Sequence, residues 1–497
     1  MAEPARLRRL WWLLAAILLV RLLGAASLPM MDTTEPRYAE ISRMMVERQD
    51  WLTPWFDEDT PFWGKPPLSI WAQALAIQWF GANDLAPRLP SWLLAFVLAW
   101  LTAQVATRHS GAVTGPRAAL VLVSMALPFA AAGAVMTDMF LALGVMLSLS
   151  AFALLLMGAA SIWRWLFFIG LAVSMLAKGP VGIVLTGLPI ALWLVLAGSW
   201  RDTWHLLPWI RGSLLTLLLV LPWYLAAEAR TPGFLDYFFV GEHVRRFTDP
   251  KWAGDLYGRA HQEPQGMIWL YWLAASFPWG LVLLWRGWRW LMTSARAVWR
   301  PDPVIVLLLG WMLAPMLLFT FASNILWTYV LPGLPAAALL LVVAPGSATA
   351  TAAPLWRWLP LLMPALAVVA LPVVLQDASG WRSERANLAA VQQDGAMPDD
   401  LMYLRKVPFS ARYYGAGVIT ALTDEQAQNW WRSCERPCYL AVPRREPNDW
   451  QRSKRGAVEV LSRSRNYIVL VQRLSASGSN SGNESSSAPN AGAGGPT

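Results

Sequence analysis

The sequence predicts a mainly α-helical protein that crosses a membrane many times. Of its 497 residues, 56% are hydrophobic and only 14% are charged, and 32 are tryptophan. The mean hydropathy is +0.40. A soluble domain could not bury so much apolar surface, whereas a lipid bilayer accommodates it in spans of about 17 to 25 residues.

Apolar runs of this length recur along the chain and predict about eleven to thirteen spans. Eleven runs lie near residues 10–28, 88–107, 116–135, 139–157, 163–177, 180–198, 212–228, 267–285, 303–321, 326–344 and 355–375. Every second loop carries arginine, as the positive-inside rule requires of cytoplasmic loops. These arginines are Arg6, Arg8, Arg9, Arg108, Arg117, Arg164, Arg201, Arg211, Arg286, Arg289, Arg296, Arg300 and Arg357. We therefore expect a cytoplasmic N-terminus and, since eleven is odd, a C-terminal part outside.

The formal charge of +9 does not indicate nucleic-acid binding, because the basic residues fall mainly in short loops between apolar runs. The first run, 10–28, is followed by small residues that would suit cleavage of a signal peptide. We expect it to remain as an uncleaved anchor, because many further spans follow.

Two polar segments, 29–87 and 229–266, are predicted to be long loops on the outer face. In the first loop, Thr34, Glu35 and Pro36 suit a helix start with a capping hydroxyl, and the helix would run to Gln49. Its apolar face and its ion-pair face predict an amphipathic helix along the membrane surface. Residues 69–81 form a second such piece, at the interface or dipping into it.

We divide the chain into a membrane domain, 1–375, a small α/β domain, 376–474, and a disordered tail, 475–497. Strand-like runs at 401–405, 438–443 and 466–471 indicate a sheet, and the pattern from Thr423 to Gln426 begins a helix. Cys434 and Cys438, the only cysteines, could form a short disulfide or remain free thiols, while a zinc site lacks a second ligand pair.

The outer loops hold the residues that could carry chemistry. Carboxylates, fixed cations and aromatic rings on one membrane face suit an anionic lipid headgroup and a sugar. The candidates are Asp32, Glu35, Arg37 and Tyr38 at the start of the first loop, Lys65 braced by two prolines, Asp138 at the start of a span, and Glu242, His243, Arg245 and Arg246 in the second loop.

Each candidate also has a plainer interpretation. Asp32 and Asp138 could cap helices, and Lys65 could reach toward phospholipid phosphates. Arg245 and Arg246 could be headgroup anchors without specificity, and His243 could be a polar loop residue rather than a metal ligand.

Several motifs together resemble the polyprenyl-phosphate-sugar-dependent membrane glycosyltransferases of the GT-C superfamily. The motifs are EPRYAEISRMM, FWGKPPLSIW, FGANDLAPRLPS, MTDM, AKGP, PWY, EHVRRF and YVLPGLP. This superfamily includes the undecaprenyl-phosphate aminoarabinose transferases that act on lipid A and the protein O-mannosyltransferases. The similarity covers about residues 10 to 340 and implies a GT-C helix bundle with long outer loops.

The resemblance implies roles for individual residues. Lys65 and Arg246, with Arg37 and Arg245 nearby, would hold the phosphate of the lipid carrier. An outer-loop acid would orient or deprotonate the acceptor, beside Tyr38 and Asp138, and the sugar would be transferred with inversion. We favour Asp32 over Glu35 as that acid.

The sequence departs from the aminoarabinose-transferase pattern at three positions. The acid of that pattern falls on Thr34. Gly64 replaces the glutamate that precedes the KPP lysine and belongs to a metal site with a loop histidine, which leaves a divalent metal at His243 less favoured. Asn324 stands where a lysine is common.

We therefore expect an inner-membrane glycosyltransferase that moves a sugar from undecaprenyl phosphate to lipid A or another envelope glycolipid, acting as a monomer. A protein O-mannosyltransferase-type enzyme is the enzymatic alternative, and a lipid or sugar transporter is the alternative from another class. The expectation requires the early carboxylates, Lys65 and the His243–Arg246 segment to share one cavity at the outer face.

Overall fold

The computed structural model describes residues 3–197, 200–248, 254–258, 262–294, 302–322, 324–344, 355–376, 382–450 and 456–474. The predicted tail, 475–497, lies outside these residues. The chain forms two compact units, one of Met1–Arg385 with Pro408–Gly417 and the other of Ala386–Val407 with Val418–Thr497.

The first unit is built from helices, as the sequence predicts. They are α1 Glu3–Ser27, α2 Thr34–Arg48, α3 Leu68–Phe80, α4 Leu89–Ser110, α5 Thr114–Val123, α6 Ala126–Ala131, α7 Asp138–Leu156, α8 Ile162–Lys178, α9 Val181–Leu196, α10 Trp200–Leu206, α11 Trp209–Arg230, α12 Arg246–Thr248, α13 Met267–Ser276, α14 Trp279–Ser294, α15 Pro303–Phe319, α16 Leu334–Val343, α17 Leu355–Trp358 and α18 Leu362–Gln376. A π-helix, Asp236–Arg245, precedes α12, and 3₁₀ turns at Ala86–Arg88, Trp327–Gly333 and Leu359–Leu361 precede α4, α16 and α18.

The described helices confirm a polytopic membrane protein. Five of them are long and apolar enough to cross a bilayer, and six if the bent pair Met267–Ser276 and Trp279–Met292, which meets at 108°, forms one span. Each of the eleven predicted runs coincides with helix, but some are short or broken. The run 116–135, for example, is divided between α5 and α6. The number of spans remains a prediction.

Helices α7 and α8 form a tight antiparallel hairpin. Gly144 and Gly170 face each other across it, and a Cβ on either glycine would lie 2.7 Å from the carbonyl oxygen of the other. Small residues allow such close approach of helix backbones inside a membrane. Because the two helices run antiparallel, Asp138 at the start of α7 comes next to Lys178 at the end of α8.

Helix α2 matches the predicted range to within one residue but differs in its start and its environment. Thr33 occupies the N-cap, and no side-chain hydroxyl caps the helix. The predicted ion pair forms, with Arg43 Nε 2.7 Å from Glu40 Oε2. Both of these side chains are nevertheless buried, because residues 408–417 of the same unit pack on this face. The expected surface helix is therefore covered on both faces.

The second unit contains the predicted small sheet. Its strands are β1 Leu401–Leu404, β2 Ala421–Leu422, β3 Cys438–Pro443, β4 Gly456–Arg463 and β5 Tyr467–Leu474, in the order β2-β1-β3-β5-β4. β1 is parallel to β2 and β3, whereas β5 is antiparallel to β3 and β4. Buried side chains from β3 and β5, such as Leu440 and Leu470, form the centre of its core. The sequence had indicated β1, β3 and β5 but not β2 and β4.

Helices and a disulfide complete this part of the chain. They are α19 Arg385–Gln393, α20 Phe409–Tyr414, which belongs to the first unit, α21 Asp424–Ser433 and α22 Pro447–Trp450. The predicted capping pattern at α21 is confirmed. Thr423 Oγ1 accepts a hydrogen bond from the main-chain amide of Gln426, and Gln426 Oε1 accepts one from the main-chain amide of Thr423. Cys434 and Cys438 form a disulfide that joins the end of α21 to β3.

Gly170→Val should destabilise the α7–α8 hairpin. The added side chain would overlap the backbone of α7, and overpacking of this kind lowers the free energy of unfolding by about 1–3 kcal/mol. The matched control is Gly187→Val in α9, where an added Cβ meets nothing within 4 Å. The thermal unfolding midpoint in detergent should fall for the first variant and much less for the second. Equal midpoints would contradict the close packing.

Candidate active site

A buried ion pair lies at the end of the α7–α8 hairpin. Lys178 Nζ is 2.5 Å from Asp138 Oδ1, and it also lies 4.2 Å from the centre of the Tyr329 ring. Charged groups inside an apolar bundle require such compensation. The alternative interpretation of Asp138 as a helix cap is not what the structure shows, since no side chain caps α7 and its carboxylate contacts Lys178.

A second ion cluster joins the two long loops. Glu242 Oε2 lies 3.2 Å from Lys65 Nζ, and Glu242 Oε1 lies 2.9 Å from an Arg246 terminal nitrogen. The other terminal nitrogen of Arg246 is 3.4 Å from Asp255 Oδ2. The Glu242 carboxylate thus holds the Lys65 and Arg246 side chains next to each other, and Asp255 restrains Arg246 through its other terminal nitrogen.

The turn that carries Lys65 is held by aromatic residues. The Tyr257 hydroxyl donates to Pro61 O at 2.6 Å and accepts from the Trp63 amide at 2.8 Å. Next to it, a Cβ at Gly64 would lie 3.0 Å from carbons of the Phe62 ring. This close approach is a physical reason for glycine at position 64.

Two adjoining cavities meet at these ion pairs. The larger, about 310 Å³, has mainly apolar walls from α7, α8, α9 and α15, and the smaller, about 140 Å³, is more polar. Lys65, Lys178, Glu242, Arg246 and Tyr329 line both. The larger is also lined by Leu141, Pro180, Val181, Val184, Leu185, His243, Leu318, Phe319 and Asn324, and the smaller by Thr34, Arg37, Tyr38, Phe62, Gly64, Met136, Thr137, Asp138, Asp255, Tyr257, Gly258 and Leu326. We call them the apolar groove and the polar cavity.

The charges around the two spaces leave an excess of positive charge. Among the described lining residues, four lysine or arginine side chains face three carboxylates. Burial favours the neutral acid of Glu242, but Lys65 and Arg246 outweigh this effect and hold the pKa of its carboxyl below the ordinary value. Burial opposes the charge of Arg246 as well, yet Glu242 and Asp255 raise the pKa of its guanidinium. Glu242 and Arg246 are therefore both charged at neutral pH, and the excess of positive charge around the two spaces suits one more negative group.

The surroundings of His243 do not suit a metal ligand. Its Nδ1 lies 2.7 Å from Phe238 O and its Nε2 lies 3.1 Å from Lys178 O. Burial, the largest influence, lowers the pKa of this imidazole. The described residues contain no group of three His, Cys, Asp or Glu that could hold a metal ion. The neighbouring acid, Glu242, is already bound by two cations, so these residues do not fit a metal.

Asp32 and Glu35 lie outside both cavities. The Asp32 carboxylate accepts hydrogen bonds from the Ser410 amide, at 3.0 Å, and from the Ser410 hydroxyl. Glu35 pairs with Arg88, with an oxygen to nitrogen distance of 2.7 Å. The expectation that the early carboxylates share the cavity of Lys65 is therefore wrong, because each has a buried partner elsewhere in the first unit.

Of the remaining candidates, some line a cavity and others do not. Arg37 and Tyr38 line the polar cavity, and Arg37 donates to Tyr257 O at 3.0 Å. Arg245 is exposed and lines neither space. The structure brings together Lys65, Arg246, Arg37, Tyr38 and Asp138.

Sequence reasoning missed three residues of this site. Lys178 lies in the motif AKGP at the end of an apolar run. A lysine there, matched by an aspartate at the start of the preceding run, is a signal of a buried pair. Tyr329 begins the motif YVLPGLP, which was a signal for the family but not for this site. Asp255 carried no signal, because it lies in a loop outside every quoted motif.

Glu242→Gln should destabilise the fold in a pH-dependent way. At neutral pH the free energy of unfolding should fall by about 3 kcal/mol, because two cations lose their buried partner. Folding lowers the pKa of the Glu242 carboxyl from its ordinary value of 4.5. Such a group stabilises the protein at pH values above that ordinary pKa, and the stabilisation is lost as the pH falls through the pKa of the folded state.

The difference in thermal midpoint between wild type and Glu242→Gln should therefore be constant at higher pH and shrink in acid. Glu47→Gln is the matched control, because its carboxylate is 60% exposed and solvent weakens its pair with the buried Arg43. A variant as stable as wild type at neutral pH would contradict the ion cluster.

Comparison with known proteins gives three kinds of match. Residues 8–238 match the family model of the dolichyl-phosphate-mannose-protein mannosyltransferases. An undecaprenyl phosphate-alpha-4-amino-4-deoxy-L-arabinose arabinosyl transferase of Serratia proteamaculans (strain 568) is 30% identical over 353 residues, which are 67% of this chain and 58% of that protein. The transferase of the same name from Yersinia pestis (strain Pestoides F) is 29% identical over 340 residues, which are 65% of this chain and 56% of that protein.

The fold has a solved counterpart. ArnT from Cupriavidus metallidurans, in a crystal structure bound to undecaprenyl phosphate, superimposes with a TM-score of 0.70 and 20% identity over 93% of this chain and 97% of that chain. This likeness shows that the fold is shared. Our chain spans somewhat more than half the length of the sequence relatives, 56% and 58%. In sequence, over 67% of its length, this chain is similar to the undecaprenyl phosphate arabinosyl transferases, and it shares its fold with ArnT.

Proposed function

We propose that this protein transfers a sugar from a polyprenyl phosphate to lipid A or another envelope glycolipid. The observation that carries the proposal is the pair of cations, Lys65 and Arg246, at the junction of the apolar groove and the polar cavity. A donor of this class has an apolar chain, a phosphate and a sugar in that order. The relatives are named as undecaprenyl phosphate arabinosyl transferases, which supports the same donor class.

The apolar groove suits the lipid chain. Val181, Val184 and Leu318 lie along it, and the cations lie at its polar end. Apolar walls with a few placed polar groups are usual for lipid-like ligands. The phosphate would contact Lys65 and Arg246, which Glu242 already holds side by side, so little reorganisation would be needed on binding.

The reaction would occur where the two spaces meet. An acceptor oxygen in the polar cavity attacks the anomeric carbon, the bond from that carbon to the phosphate oxygen breaks, and the phosphate leaves with the bonding electrons. Attack opposite to the leaving group inverts the carbon. If the acceptor is a hydroxyl, its proton passes to the carboxylate of Asp138. If it is a phosphate, already ionised near neutral pH, Asp138 orients it instead.

We further propose that the protein acts in the bacterial inner membrane as a monomer. The N-terminus would be cytoplasmic, and the polar cavity and the second unit would be periplasmic. Arginine in every second loop supports this orientation.

A protein acceptor is the second candidate, because the family model that matches residues 8–238 is one of protein mannosyltransferases. The two candidates differ in where a labelled sugar appears, in lipid or in polypeptide. Either enzyme would release free polyprenyl phosphate only when the acceptor is present, whereas a transporter would not release it.

Arg246→Ala should slow the transfer reaction strongly. Loss of one group that stabilises the charge growing on the leaving phosphate lowers kcat by about 100-fold, and Lys65→Ala should behave in the same way. Release of polyprenyl phosphate by the purified protein is the measurement. Arg245→Ala should lose far less activity, because its side chain is exposed and outside both spaces. Equal losses for the two neighbouring arginines would contradict the assignment.

Asp138→Asn should lower kcat by about 100-fold or more if it removes a proton from the acceptor. Its pH–rate profile should then lose the acidic limb seen in wild type, whereas a flat profile in both would indicate a phosphate acceptor. Asp32→Asn should leave the limb in place, because Asp32 is outside the polar cavity. If the acidic limb of the pH–rate profile moved only in the Asp32→Asn variant, Asp138 would not be the acid that removes the acceptor's proton.

A further inference from the structure

We propose that Glu35 is a positioning residue, which holds Asp138 in place through the backbone of residue 135 and does not contact the substrate. The inference rests on the proposed function only in treating Asp138 as the acid of the polar cavity. Four groups of observations support it.

Both oxygens of Glu35 are engaged away from the cavities. Oε2 lies 2.7 Å from one terminal nitrogen of Arg88, and Oε1 lies 3.0 Å from Arg88 Nε. Oε1 also accepts a hydrogen bond of 3.0 Å from the Val135 amide. The carboxylate therefore bridges an arginine and a main-chain group 100 residues further along the chain.

Arg88 gives this bridge a fixed base. Its guanidinium donates to Ala25 O at 2.7 Å, to Leu28 O at 2.5 Å and to Pro29 O at 3.3 Å. The residue is only 3% exposed. Since three carbonyl oxygens from the end of α1 and the residues just after it restrain Arg88, the position of the Glu35 carboxylate is restrained as well.

Val135 lies in the short connection between α6 and α7. Helix α6 is itself restrained, because Arg21 donates to Phe129 O and Ala130 O, each at 2.9 Å. Within the described residues, the side chain that binds a main-chain group of the connection 132–137 is that of Glu35. This bond thus ties the chain to Glu35 as it enters α7, after the main-chain bonds that join Gly133 and Ala134 to α6.

The three residues after Val135 form a wall of the polar cavity. Met136, Thr137 and Asp138 all line it. Release of the Val135 amide would allow this wall to shift, although the Lys178 pair would still attract Asp138. A displacement of about 1 Å at a reacting group lowers turnover by as much as about 100-fold.

The test is a double-mutant cycle with Glu35→Gln and Asp138→Asn. The glutamine places an NH₂ donor against the N–H groups of Arg88, so its side chain must turn and the bond to residue 135 weakens. Glu35→Gln alone should lower kcat by about 10- to 100-fold, with the donor KM little changed. The double variant should be no slower than Asp138→Asn, because Glu35 acts only through Asp138.

Multiplied losses in the double variant would overturn the proposal, since Glu35 would then act independently. A Glu35→Gln variant with the kcat of wild type would overturn it too. Glu47→Gln in the same helix, with an exposed carboxylate, is the matched control and should keep the wild-type kcat. If the Gln variant does not fold, Glu35→Asp, which keeps the charge but shortens the reach, enters the same cycle.

Amide hydrogen exchange separates this proposal from the proposed function. Peptides that cover residues 132–140 should exchange faster in Glu35→Gln than in wild type, with no such change in Glu47→Gln. This result would support the positioning role even if the wild-type protein released no polyprenyl phosphate. A failure to release polyprenyl phosphate would contradict the proposed function but not the positioning role. Unchanged exchange would overturn the positioning role.

Discussion

The carboxylate of Glu242 lies between Lys65 and Arg246, and the arrangement of the site depends on this ion cluster. Its members come from two loops, with Glu242 177 positions after Lys65. Largely buried charges without partners would be strongly destabilising. The cluster therefore links the two loops, and the result is a pair of cations held side by side.

The α7–α8 hairpin meets this cluster from within the bundle. Contact between Gly144 and Gly170 sets the separation of the two helices, and their antiparallel course places Asp138 beside Lys178. The two ion clusters then form the boundary between the apolar groove and the polar cavity. A donor with a lipid chain and a charged phosphate requires such a boundary, which is why the proposed function places the reaction there.

Three carboxylates that look alike in the sequence differ in role because of their partners. Asp32 binds Ser410, Glu35 binds Arg88 and the Val135 amide, and Asp138 binds Lys178 at the cavity wall. Of these, Asp138 lines a cavity, while Asp32 and Glu35 do not. The sequence analysis favours Asp32 as the working acid, whereas the fold places its carboxylate against Ser410, in the packing of residues 408–417.

The sequence by itself determined the helical membrane fold, the range of α2 and three strands of the small sheet. These follow from local properties, namely apolar length, residue periodicity, capping patterns and proline spacing. Tertiary structure alone decided which acid reaches the cavity, that Lys178, Asp255 and Tyr329 belong to the site, and that both faces of α2 are buried. The physical reason is that ion pairs and hydrogen bonds between residues far apart in the chain depend on where the folded backbone brings them, and no local pattern encodes that distance.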